Sequence, residues 1–126
     1  MKPARYIWLL ALLLLAAPAN AVDFSKVVMD DEGKPICMEA VREGECPPDK
    51  IATLGRVVRI ALYTTFPDEQ NLSGEEKYKR GELAQGLAGA GDTKVKLEDL
   101  LVMKKVVGKL YGPGVVKPAW DLLEGK

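Results

Sequence analysis

Few groups in this chain can do covalent or acid–base chemistry. It holds no histidine, so the usual general base and the commonest metal ligand are both missing. Its two serines are Ser25 and Ser73. Neither sits in a Gly-x-Ser-x-Gly turn, and Ser73 stands three residues before Glu76, the spacing of a helix capping box. Adjacent acids occur at Asp68/Glu69 and Glu75/Glu76. A pair of carboxylates is what glycoside hydrolysis uses, but neighbours on polar segments with no groove foreseeable between them read as surface charge. Asp30-Asp31-Glu32-Gly33 looks superficially like a calcium loop and lacks the alternating acids and distal glutamate of that motif. Gly89-x-Gly91 is too short for a dinucleotide fingerprint and follows no core strand. These features predict no catalytic residue, no cofactor and no metal site, and therefore a non-enzyme.

The two cysteines, Cys37 and Cys46, take their meaning from the N-terminus. Lys2 and Arg5 make a short basic region. Residues 7–17 form an unbroken apolar run of 11 residues, well short of the ~20 that span a bilayer. Pro18 breaks the run, and Ala19-Asn20-Ala21 has the small-x-small form of a signal-peptidase site. Residues 1–21 therefore read as a secretory signal cleaved between Ala21 and Val22. An uncleaved signal-anchor is the alternative, and Cys37 lies too far from the apolar run to be a lipid acceptor. Export leads to a secreted or periplasmic location, where a cysteine pair is usually a disulfide. Eight residues separate Cys37 from Cys46. That is not a redox spacing, and no histidine completes a zinc site. Closing so short a loop stabilises by about 2–3 kcal/mol in the chain-entropy picture.

Cleavage leaves residues 22–126, a single small globular domain. Losing Lys2 and Arg5 leaves 16 basic against 18 acidic residues, a net charge of −2. Near-neutral charge argues against nucleic acid or an anionic membrane as partner.

The element that organises this domain is residues 53–65. Leu54, Val57, Val58, Ala61 and Leu62 make one apolar helical stripe, Thr53 is a ready N-cap, and Phe66-Pro67 ends the helix. Arg56, Arg59 and Tyr63 fall on the opposite face and are the candidate interaction surface. Before it, residues 22–25 read as a leader. Residues 26–30 and 34–38 then read as a β-hairpin turning at Asp31-Glu32-Gly33, irregular because Pro35 has no N–H to donate. Residues 39–50 read as an acidic, disulfide-closed loop.

A second helix starts at Ser73, with Leu83, Ala84, Leu87 and Ala88 as a narrow apolar face. Its charged cluster Glu75, Glu76, Lys77, Lys79 and Arg80 reads as solvated, supported by i,i+4 pairs Glu75–Lys79 and Glu76–Arg80. Gly81 and Gly86 weaken it. Residues 93–96 suggest a small strand with Val95 inward. A third helix over residues 97–111 presents Leu100, Met103, Val107 and Leu110, widened by Leu101, Val106 and Tyr111. A fourth carries Val115, Val116, Ala119, Leu122 and Leu123, with Pro118 delaying regular hydrogen bonding to near Lys117. Trp120 on that helix reads as core rather than as a ligand platform. The expected class is α+β: about four helical segments with an N-terminal β-hairpin.

Several segments together resemble small phage and prophage-encoded proteins of uncharacterised function: Asp-Glu-Gly-Lys-Pro-Ile (31–36), Thr-Leu-Gly-Arg-Val (53–57), Asn-Leu-Ser-Gly-Glu-Glu-Lys-Tyr-Lys-Arg-Gly-Glu-Leu-Ala (71–84), Leu-Leu-Val-Met-Lys-Lys-Val-Val-Gly-Lys-Leu-Tyr-Gly-Pro-Gly-Val-Val (100–116) and Ala-Trp-Asp-Leu-Leu-Glu (119–124). The resemblance covers nearly all of residues 22–126 and implies no mechanism. The signal peptide and the Cys37/Cys46 loop depart from that group, which implies a phage module adapted for export. The expected function is an exported, non-enzymatic binding protein with a protein partner in the cell envelope. A small carboxylate-dependent cell-wall hydrolase and a membrane-tethered protein are the alternatives.

Overall fold

The computed structural model describes residues 20–39 and 44–126. The basic and apolar parts of the expected signal lie outside them, as do residues 40–43 of the disulfide-closed loop. The described residues form an α+β domain of four helices and a two-stranded antiparallel sheet. The elements are β1 (Asn20–Asp23), α1 (Leu54–Tyr63), α2 (Gly74–Gly86), β2 (Asp92–Val95), α3 (Leu97–Leu110) and α4 (Pro113–Leu123). Single-turn 3-10 helices stand at Pro48–Lys50 and Pro67–Glu69. No helix of the described residues is long and apolar enough to cross a membrane.

α1 is the hub. Thr53 caps it by accepting the Arg56 N–H at 3.3 Å, and Leu54, Val57, Val58, Ala61 and Leu62 are all buried. It packs against α2 on one side and α3 on the other, and α4 lies mainly on α3. The sheet contacts α4 through β1. Val22 pairs with Thr93 and Asp23 with Asp92, while the side chains of Val22, Phe24 and Val95 enter the core. The segment read as a leader is thus a strand with core residues. Its partner, the strand expected at 93–96, is remote in sequence, so no local turn signal announced the pairing. The expected cleavage point lies inside β1. A chain starting at Val22 keeps the Val22–Thr93 and Asp23–Asp92 pairs and loses the other two.

The hairpin expected over 26–38 is present as part of a three-segment knot. Asp30 Oδ1 accepts the N–H groups of Glu32 and Lys34, each at 2.9 Å, and Gly33 turns the chain at φ 77°. Met29 then faces Pro35, Val27 faces Thr53, and Cys37 faces Ile51, each as an isolated antiparallel bridge. The Val28 N–H donates to Ala52 O (2.8 Å), the Ala52 N–H to Ile36 O (2.8 Å) and the Ile36 N–H to Val28 O (3.0 Å). This closed ring satisfies three backbones without a continuous ladder, which is how Pro35 is accommodated. Cys37 and Cys46 stand at disulfide distance, with Cα atoms 5.7 Å apart.

α4 begins at Pro113, and its regular hydrogen bonding is under way before Lys117, where it was expected to start. Proline fits the first turn, where an N–H has no helical partner, and the Val116 N–H already donates to Gly112 O at 3.0 Å. Pro118 is carried inside the helix. Trp120 is half-buried against α3, its indole N–H donating to Lys104 O at 3.1 Å. A Cβ at Gly108 would stand 3.2 Å from its ring. Of the apolar residues expected to line α3, Leu100, Met103, Val106 and Val107 are buried, whereas Leu101 is 57% exposed. Leu110, expected on the same buried face, is 36% exposed.

Candidate functional site

The three residues proposed as an interaction surface have different fates. Arg56 donates to the carbonyls of Asp49 and Ile51 and ties the 3-10 turn to α1. Arg59 Nε donates to Ala84 O at 3.1 Å and ties α1 to the end of α2. Tyr63 is 52% exposed and lines a cavity of about 180 Å³.

That cavity forms where α1 ends. Thr64 and Phe66 adopt extended backbone, as the residue before Pro67 must, and Phe66 drops into the core. Pro67–Glu69 makes one tight turn, with the Glu69 N–H donating to Phe66 O at 3.0 Å. Ser73 then caps α2, accepting the Glu76 N–H at 3.1 Å. The chain so folded lines the cavity with Tyr63, Phe66 and Leu72 together with Lys77 and Arg80.

Arg80 is the residue that the sequence reading misplaced. The charged cluster around it implies the solvated face of α2, yet its side chain is only 9% exposed. Its partner is Glu69, 2.5 Å away and equally buried, rather than Glu76. Glu69 Oε1 also accepts from Lys109 Nζ of α3 at 2.6 Å, and Lys109 reaches Asp68 Oδ2 at 2.8 Å. Lys109 further stands 5.4 Å from the centroid of the Phe66 ring, a cation–π distance. A signal was available: Arg80, Ala84 and Leu87 fall at i, i+4 and i+7, so Arg80 continues the buried stripe of α2.

The electrostatics follow from these contacts. The hydrogen bond from Lys109 holds the Glu69 carboxyl below its ordinary pKa, burial opposes this, and Arg80 adds to the lowering. Lys109 lowers Asp68 in the same way, and its own pKa is raised by Asp68 and then by Glu69. Both carboxylates are therefore held ionised, the reverse of what a general acid needs. The other adjacent acids, Glu75 and Glu76, are exposed in the first turn of α2, where Glu76 also accepts from the Ser73 hydroxyl at 3.3 Å. Asp30 of the calcium-like tetrad is engaged in its own turn. Among the described residues no group of three or more His, Cys, Asp or Glu side chains is placed to hold a metal.

Two larger depressions are more open. One, of about 510 Å³, runs between Met29–Asp31 and the face of α4 bearing Lys117 and Asp121. The other, of about 690 Å³, adjoins the Cys37/Cys46 pair. Neither contains a buried ionisable side chain. No family model, curated protein or solved structure matches the chain.

Proposed function

We propose that this chain is an exported, periplasmic, non-enzymatic binding protein of phage or prophage origin that engages a protein partner in the cell envelope. The observation that carries the reading is the cavity at the end of α1, whose largely apolar lining includes the nine-tenths-buried side chain of Arg80. Such a hollow suits recognition: an apolar anchor supplies affinity and one fixed charge supplies orientation. The cysteine pair at disulfide distance suits an oxidising compartment, and the N-terminal basic–apolar–small pattern supplies the route there. The ionised state of Asp68 and Glu69 weighs against the hydrolase alternative.

The test is affinity capture from envelope extracts with residues 22–126 as bait, in wild-type and Tyr63→Ala forms. The expected result is a protein retained by the wild type and lost with Tyr63→Ala. Recovery of no partner, together with a clearing zone on a peptidoglycan gel, would overturn the reading in favour of the hydrolase.

A further inference from the structure

We propose that the Arg80 cavity is a carboxylate site that takes the C-terminal residue of the partner's chain, α-carboxylate against the guanidinium and side chain against Leu62, Phe66 and Leu72. The inference deepens the binding reading above and rests on it.

Arginine carries five N–H donors. Arg80 uses one of these donors, through Nη2 to Glu69. The described residues contain no buried side-chain N or O lacking a partner, so the remaining Arg80 donors reach solvent. Arg80 lines both this cavity and a depression of about 370 Å³ with Glu75, Glu76, Lys79 and Lys105. Of the two, only the first offers an apolar wall without those acids. A guanidinium held by one carboxylate with its other edge free is arranged for a second, bidentate one. The first is already saturated, since Glu69 accepts from Arg80 on one oxygen and Lys109 on the other. The charged groups lining the cavity are Glu69, Lys77 and Arg80, a net charge of +1 that a single carboxylate neutralises.

Size and polarity narrow the ligand. The cavity, about 180 Å³, is slightly larger than the roughly 150 Å³ cavity that accepts benzene. It therefore holds one branched or aromatic side chain. A C-terminal residue carries its carboxylate and its side chain on the same carbon, so both reach the cavity lining together. An internal Asp or Glu places its carboxylate at the tip of the side chain and leaves the apolar wall unfilled.

The test uses 15N-labelled residues 22–126 and the peptide N-acetyl-Ala-Ala-Leu, as the free acid and as the C-terminal amide. The acid is expected to shift the amides of residues 62–66 and 80–81 saturably, with Kd on the order of 1 mM. The amide should bind about tenfold more weakly, because a charged acceptor roughly doubles the strength of an Arg hydrogen bond. Arg80→Gln should abolish the difference between acid and amide. In case that variant is unfolded, Lys77→Gln and Tyr63→Ala, both at exposed positions, should weaken the acid several-fold while leaving the rest of the spectrum in place. Equal shifts from acid and amide, shifts confined to other residues, or no saturation at about 20 mM would overturn the proposal. The two readings fail separately. Envelope capture without peptide binding removes the carboxylate site alone, and peptide binding without envelope capture removes the envelope partner alone.

Discussion

Glu69→Gln separates the ionic network from the apolar core beneath it. The amide keeps the shape of the side chain but presents an N–H₂ to one of two donors, Arg80 Nη2 at 2.5 Å or Lys109 Nζ at 2.6 Å. It also leaves the Arg80 charge uncompensated, while Lys109 retains Asp68 at 2.8 Å. Breaking a fully buried ion pair costs about 3–5 kcal/mol, and losing one charge-assisted hydrogen bond costs about 1.5–3 kcal/mol. Because the cavity admits water to Arg80, the lower range applies, about 2 kcal/mol. For a domain of this size that lowers Tm by roughly 8–16 °C.

The pH dependence fixes the cause. Glu69 has a folded pKa below its ordinary value of 4.5. Its contribution is complete above that value and is lost as pH falls through the depressed folded pKa. Urea unfolding of wild type and variant should show the full gap at pH 7 and a narrowing gap below about pH 4. Combining Glu69→Gln with Arg80→Met should cost less than the sum of the two, since the double variant leaves no unpaired charge. A gap absent at pH 7, or one of constant size down to pH 2, would refute the reasoning.

Tyr111 donates its hydroxyl to Val57 O at 3.0 Å, so Tyr111→Phe should lose about 1 kcal/mol in urea unfolding. Burial pushes its phenol up to about 12; the neutral form is favoured in the folded state, so this support is whole below about pH 10 and disappears as pH rises through 12. Absorbance titration should show a late phenolate transition that Tyr111→Phe removes. A Cβ at Gly55 would stand 3.1 Å from Phe24 O, a backbone atom already bonded to the Gly55 N–H at 2.9 Å. Gly55→Ala should therefore destabilise by about 1–2 kcal/mol, where helix propensity alone would stabilise by up to about 1 kcal/mol. Cys37→Ser with Cys46→Ser should cost about 2–3 kcal/mol, equal to the effect of reductant on the wild type and not additive with it.

The helices were legible because each carries its own periodic stripe and two carry a side-chain cap: Thr53 and Ser73 cap as their spacing implies, and Gly33 turns where expected. The β1–β2 pair was half legible. Val95 alternates with Lys94 and Lys96, but nothing local ties residues 92–95 to residues 20–23, and the cleavage motif drew attention away from Val22 as a core residue. Arg80 was hidden by composition. Four charged residues around it suggest a solvated face, and only its register with Ala84 and Leu87 places it inward. Its acid partner lies 11 residues earlier, across the loop after α1. Such pairings depend on the approach of two elements and have no short-range signature. Arg56 and Arg59 illustrate the converse: both lie opposite the apolar stripe, yet both reach around to bond carbonyls of neighbouring segments, as long amphipathic side chains do.

Export of a disulfide-closed domain is the premise on which the binding proposals stand, and one mass tests it. The intact, unreduced protein recovered from the periplasm should begin at Val22 and be two hydrogens lighter than its reduced form. A chain that still begins at Met1, or one that begins at Val22 with both thiols free, would contradict the account.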